Sequence, residues 1–218
     1  MCSSDLRWAE FKTLVHIGWE FLSGFRELHF IGPCVTVFGS ARFPPGHPYY
    51  ELGRTVGAEI ARLGFNVMTG GGPGIMEAAN RGAFDVGCKS IGLNIKLPSE
   101  QQPNPFITPE LCFQFKYFAL RKFHFILRAA AVVLFPGGFG TLDEMFETLT
   151  LRQTHRMQPV PIILFGREYW SKVINFQQMA DEGVISDEHL ELFSWAETAD
   201  DAWRQIVEFH EHRRQHPA

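Results

Sequence analysis

AVVLFPGGFGTLDEMFETL, residues 131–149, decides the reading of the chain. Five apolar residues, Ala131–Phe135, stop at Pro136; Gly137, Gly138, Phe139 and Gly140 follow, and then Thr141 opens an apolar pattern at helical spacing. A continuous apolar run of that length is a buried strand, and Leu142, Met145, Phe146 and Leu149 form the core stripe of a helix. The stretch is a strand, a glycine turn and a helix, the repeating unit of a parallel sheet.

The same unit recurs along the chain. Strands are predicted at Cys34–Phe38, Phe65–Thr69, Ser90–Ile95, Ala131–Phe135 and Val160–Phe165. Helices are predicted near Tyr49–Leu63, Gly74–Val86, Gln114–Arg128, Thr141–Gln153, Glu168–Ala180 and Asp200–His212. Val/Ile/Leu-rich strands alternating with helices predict an α/β fold, a Rossmann-like doubly wound parallel sheet covered on both faces. Before it, Asp5 to His29 carry Leu6, Phe11, Leu14, Val15, Trp19, Phe21, Leu22 and Phe25 at helical spacing. We therefore divide the chain into an N-terminal helical extension, 1–30, and a nucleotide-binding domain, 31–218. The extension packs on its own subunit or seals a partner. Between Lys96 and Leu111, four prolines and little periodicity predict a long loop, either a lid or a rigid excursion.

Composition narrows the function. With 218 residues and a net charge of -4, the chain lacks the basic footprint of a nucleic-acid binder. Its four cysteines form no C-x-x-C pair, which argues against a disulfide framework or zinc site and fits a reducing cytoplasm. The opening MCSSDLRWAEF has no basic and apolar leader pattern, and no apolar run reaches spanning length, so neither a signal peptide nor a membrane segment is expected. The histidine-rich tail lacks an anchored ligand set, so no metal is assigned.

Three turns leave the predicted sheet at its carboxyl edge, where ligands bind in open parallel sheets. They are Gly39-Ser40-Ala41-Arg42, Gly70-Gly71-Gly72-Pro73-Gly74 and Pro136–Thr141. Glycine turns bring backbone N–H groups close to an anion, and the helices behind them add unpaired donors. Neither G-x-G-x-x-G nor G-x-x-x-x-G-K-[ST] is present, so a mononucleotide or sugar phosphate fits better than a dinucleotide or a triphosphate. Thr141 and Glu144 match a capping box, with Thr141 as N-cap. Glu144 points off the core stripe, free to cap its own helix or face a ligand. In the preceding helix, Gln114, Tyr117, Arg121, His124 and Arg128 form a polar stripe, and Lys122 lies off it among phenylalanines, where its stem would snorkel.

GGGPGIMEAANRGA, Leu120-Arg121-Lys122 and PGGFGTLDE together resemble the LONELY GUY (LOG) family over roughly Cys34 to Phe165. Its members are phosphoribohydrolases of purine riboside monophosphates, long labelled lysine decarboxylases. The resemblance implies Arg121 and Glu144 as catalytic residues. It places Gly71, Gly72, Gly74, Gly137, Gly138, Gly140 and Thr141 on the nucleotide loops, and implies a Rossmann-like homodimer with no cofactor. We add Ser40, Met76 and Lys122 as substrate contacts and Glu77 as a partner for ribose hydroxyls. The expected substrate is a purine nucleoside monophosphate, AMP or an N6-modified AMP. The glycine turn is one residue shorter than the plant GGG-x-x-G-x-M, and Phe118 stands where a methionine is usual; these departures bear on base specificity and assembly. No lysine is placed for pyridoxal phosphate chemistry, so decarboxylation is rejected. The alternative is a non-catalytic nucleotide-binding or cofactor-carrier protein, which needs the glycine loops but not Arg121 and Glu144 together.

Overall fold

A computed structural model describes residues 3–95 and 102–215. A long helix α1 (Ser3–Leu28) leads into β1 (Cys34–Phe38). There follow α2 (Pro48–Arg62), β2 (Asn66–Thr69), α3 (Ile75–Asp85), β3 (Ser90–Ile95), β4 (Cys112–Phe115), α4 (Phe118–Leu127) and β5 (Ala129–Leu134). The chain ends with α5 (Phe139–Gln153), β6 (Ile162–Phe165), α6 (Arg167–Val173), α7 (Phe176–Asp181), β7 (Ser194–Ala196) and α8 (Ala199–Gln215).

Among the described residues the strands form one seven-stranded parallel sheet, in the order β4-β3-β2-β1-β5-β6-β7. From β1 the chain builds outward through β2, β3 and β4, then returns to lay β5, β6 and β7 on the other side. The direction reverses between β1 and β5, where Val37 pairs with Val133 and Phe38 with Leu134. The turns leaving these two strands diverge, and a crevice opens between them.

Alternation along the strands builds two cores. Val35, Val37, Val67, Ala131, Val133 and Phe135 face α2, α3 and α8, meeting Val56, Ile60, Ile75, Ala79 and Ile206. Cys34, Phe38, Met68, Leu93, Val132 and Leu134 face the opposite way, against Phe125 of α4, Met145 of α5 and Trp170 of α6. Burial on both faces explains why the strands read as unbroken apolar runs.

Several elements differ from the sequence expectation. The helix expected from Gln114 begins at Phe118, because Cys112–Phe115 pairs with β3 as an edge strand. Its alternating aromatics suit a pleated surface. The polar stripe therefore breaks up: Gln114 is in β4, Tyr117 precedes α4, and His124 is fully buried among Phe21, Phe25, Phe115 and Phe123. Burial, with Arg128 acting in the same direction, pushes His124 down to about 4, so its ring is neutral. The helix expected over Glu168–Ala180 divides in two, and the Asn175 side chain caps the second half by accepting from the Gln178 N–H at 3.0 Å. Helix α5 starts at Phe139, which makes Thr141 its third residue rather than its N-cap, and no side-chain cap is present. Of the proline-rich loop, residues 96–101 lie outside the described residues. The remainder is tied to β3: Thr108 N–H donates to the Ser90 carbonyl and Ser90 Oγ to the Phe106 carbonyl.

Candidate active site

The crevice at the β1/β5 switch point is a cleft of about 800 Å³. Its rim comes from the three turns found in the sequence. Ser40, Gly70, Gly72, Met76, Gly137, Gly138, Gly140 and Thr141 all line it, and so do Arg121 and Glu144, in contact with each other.

The turns hold one another in place. Ser40 N–H donates to the Pro136 carbonyl at 3.0 Å, and the Ser40 carbonyl accepts from the Ile75 N–H at 3.0 Å. The β1, β2 and β5 turns are thus fastened through a single residue. Gly74 stands between Ser40 and α3 with φ at 69°. A Cβ there would run into the Ser40 and Ala41 backbone, so only glycine closes this turn. Gly74 therefore shapes the rim from behind, and so does Gly71, which packs on Ile107 and Gly92.

Arg121 projects from the first turn of α4 with its guanidinium 5.4 Å from the ring centres of both Phe118 and Phe125. Aromatic faces attract a cation there and shield it from water. One nitrogen, Nη2, donates to Glu144 Oε1 at 3.5 Å. The Glu144 side chain is only 6% exposed. Burial pushes its carboxyl up to about 7, against the opposing pull of Arg121 and Lys122, with Glu147 and Asp143 adding to the rise. Burial likewise lowers Arg121, and Glu144 acts against that shift. A carboxyl that changes protonation near neutral pH, beside a desolvated arginine, can exchange protons with a reacting group or carry charge as that group needs.

Two of the sequence candidates are turned away from the cleft. Glu77 Oε1 accepts from the Tyr50 hydroxyl at 2.7 Å, because the first turn of α3 faces α2 at that position. Lys122 Nζ lies 2.8 Å from Asp143 Oδ2 and 3.2 Å from Glu147 Oε2, a tie between α4 and α5. It neither lines the cleft nor snorkels to water: Asp143 and Glu147 supply the charge that the reading among phenylalanines left out.

The structure also adds residues that the sequence reading missed. Asn94, the next-to-last residue of β3, lines the cleft, and its position near the carboxyl end of a strand was the available signal. Tyr169 of α6 lines the cleft and donates its hydroxyl to the Gly137 carbonyl at 2.6 Å. No sequence pattern announces that contact, which depends on how α6 folds back on the β5 turn.

Fold and cleft define a class: a Rossmann-like α/β protein with a glycine-lined crevice and a buried arginine–glutamate pair at the carboxyl edge of its sheet. The chain belongs to the LONELY GUY family, whose family model, described as "Possible lysine decarboxylase", matches residues 76–206. It is 29% identical over 182 residues to the cytokinin riboside 5′-monophosphate phosphoribohydrolase LOG7 of Arabidopsis thaliana, covering 81% of each chain. To the pyrimidine/purine nucleotide 5′-monophosphate nucleosidase of Escherichia coli K12 it is 30% identical over 147 residues, 62% of this chain but 31% of that longer protein. Among solved structures, the molybdenum cofactor binding protein of Rippkaea orientalis superposes with a TM-score of 0.60 at 21% identity, over 83% of this chain and 98% of that one. The molybdenum cofactor carrier protein of Chlamydomonas reinhardtii gives 0.59 at 22% identity, over 81% and 99%. These likenesses show the shared fold.

Proposed function

We propose that this protein hydrolyses the N-glycosidic bond of purine nucleoside 5′-monophosphates, AMP or an N6-modified AMP, to the free base and ribose 5-phosphate. The observation that carries this reading is the buried Arg121–Glu144 pair inside a glycine-lined cleft. The names of the relatives support it, since both describe 5′-monophosphate substrates.

As the bond between C1′ and the base nitrogen lengthens, its electrons leave with the base and positive charge grows on the ribose. Ionised Glu144 stabilises that charge and accepts a proton from the water that attacks C1′. The proton that Glu144 takes from the water is passed on to the departing nitrogen, which completes the balance: one water is consumed, and a base and a sugar phosphate are released. Arg121 offers a planar fork of donors to the phosphate or the base. The turn N–H groups hold the 5′-phosphate. The expected homodimer is kept as part of the proposal, supported by the exposed Phe118, Phe123 and Leu127 on α4 and Trp8, Phe11 and Trp19 on α1.

The test is incubation with a panel of nucleoside monophosphates and the matching unphosphorylated nucleosides, scoring free base. Cleavage of the monophosphates, lost in E144A and R121A by a factor of about 10² or more, is the expected result. AMP bound tightly and recovered intact would instead make the protein a carrier, the function named for the structural neighbours.

A further inference from the structure

Behind the Gly70–Gly74 turn lies a buried polar network that the reaction above does not use. Its centre is Asn104, 7% exposed, on the segment that follows β3. Asn104 N–H donates to the Gly71 carbonyl at 2.8 Å. Its side-chain Nδ2 donates to the Gly72 carbonyl at 3.0 Å and to Asn80 Oδ1 at 3.0 Å. The amide is oriented by Phe106, whose N–H donates to Asn104 Oδ1 at 3.2 Å. Fully buried Thr69 donates to the same Asn80 oxygen at 2.7 Å and accepts the Gly71 N–H at 3.0 Å.

The consequence for the turn is directional. In a trans peptide the carbonyl and the following N–H point to opposite sides. Holding the Gly71 carbonyl on Asn104 therefore aims the Gly72 N–H away from Asn104, into the cleft that Gly72 lines. The Gly71 carbonyl is held by the Asn104 backbone N–H and the next carbonyl, that of Gly72, by the Asn104 side chain, while Pro73 brings no N–H of its own. A peptide between two glycines flips at little steric cost, and a flip would place a carbonyl oxygen where an anion needs a donor.

We propose that Asn104 is a positioning residue: its backbone N–H holds the Gly71 carbonyl and its side chain the Gly72 carbonyl, and only with both carbonyls held is the Gly72 N–H fixed toward the cleft, which sets the affinity for phosphate monoesters. This inference rests on the nucleotide reading above and extends it to a residue outside the cleft. It also gives the described part of the proline-rich loop a task, since that segment carries Asn104 to the back of the turn.

Two variants separate the contributions. Asn104→Ala removes the side-chain clamp and leaves the backbone bond to Gly71. Asn104→Asp keeps the volume but replaces the Nδ2 donor with an acceptor facing the Gly72 carbonyl. Both are expected to raise KM for AMP about tenfold or more, the worth of a buried hydrogen bond whose loss leaves an acceptor unpaired. The inhibition constant for inorganic phosphate rises in parallel, while kcat stays within about threefold. A merely structural role would lower the melting temperature and the active fraction and leave KM and phosphate inhibition unchanged; that pattern overturns the inference. Should the variants fail to fold, amide NMR of the unaltered protein decides. The Gly72 N–H resonance shifts on titration with inorganic phosphate if the inference holds and stays in place if it does not. A wild type that cleaves AMP while the variants keep its KM refutes the role of Asn104 alone. A wild type that neither binds nor cleaves AMP refutes the nucleotide reading, and this inference with it.

Discussion

At Glu144, burial and the charge of Arg121 act in opposite directions on one proton, and burial wins. The carboxyl titrates at about 7 in the folded protein, against an ordinary value of 4.5. The folded chain thus holds this proton more tightly than the unfolded chain. Between pH 4.5 and 7 the unfolded state has already released it, so stability falls as pH rises through that window and levels off above it. The full difference is about 3 kcal/mol by linkage. E144Q cannot titrate, so its melting temperature relative to wild type should climb as pH goes from 5 to 8, on top of a constant offset from the amide replacing the neutral carboxyl. Parallel melting curves across that range would show that Glu144 titrates normally and is not poised for proton exchange. The same ionisation predicts that cleavage rises with pH through about 7, because the proposed role needs the carboxylate.

Among the elements, α1 and α4 meet at a tight contact. Gly24 of α1 sits directly on the His124 ring, and a Cβ at that position would overlap it. His124 has nowhere to go, being fully buried with Phe21, Phe25, Phe115 and Phe123 around it. Gly24→Ala should therefore force α1 outward at a cost of about 1–3 kcal/mol, the usual penalty for overpacking. Gly18, on the same helix, has open space where its Cβ would be. Gly18→Ala should stabilise by up to about 1 kcal/mol through helix propensity alone. Chemical denaturation of both variants tests the pair, and equal effects would mean that α1 does not dock on His124. This contact also shows where sequence reading stops. Strands β1, β2, β3, β5 and β6 were legible because burial on both faces leaves an unbroken apolar run. Edge strand β4 was absorbed into the helix pattern that follows it, because aromatics at 113 and 115 fit either period over so short a span. β7 was missed because three residues, Ser194–Ala196, are too few to show any period. In the site, the glycine turns were visible as residue types at strand ends, and the Arg121–Glu144 pair through the family resemblance of the motifs that carry it. The partners of Glu77 and Lys122 were not, since Tyr50, Asp143 and Glu147 come from other helices and reach them only through packing.

For the whole molecule, the sheet order concentrates its ligand-facing backbone at one place. The chain reverses direction at β1/β5, and the β2 turn is fastened to the same spot through Ser40 and Ile75. A phosphate monoester bound there would bridge turns from strands on both sides of the switch point, so its binding should be felt by global unfolding rather than by one loop. A ligand at about a hundred times its dissociation constant adds about 2.7 kcal/mol to stability. For a chain of 218 residues that amounts to a rise of about 5–10 °C in melting temperature. Turnover would blur the measurement, so the appropriate protein is E144Q, which retains every turn. AMP should produce the full rise and ribose 5-phosphate part of it. Adenosine, which brings no phosphate anion to the turn N–H groups, should produce little. If adenosine stabilises as well as AMP does, the glycine turns are serving only to close the strand–helix connections, and the nucleotide is held by its base.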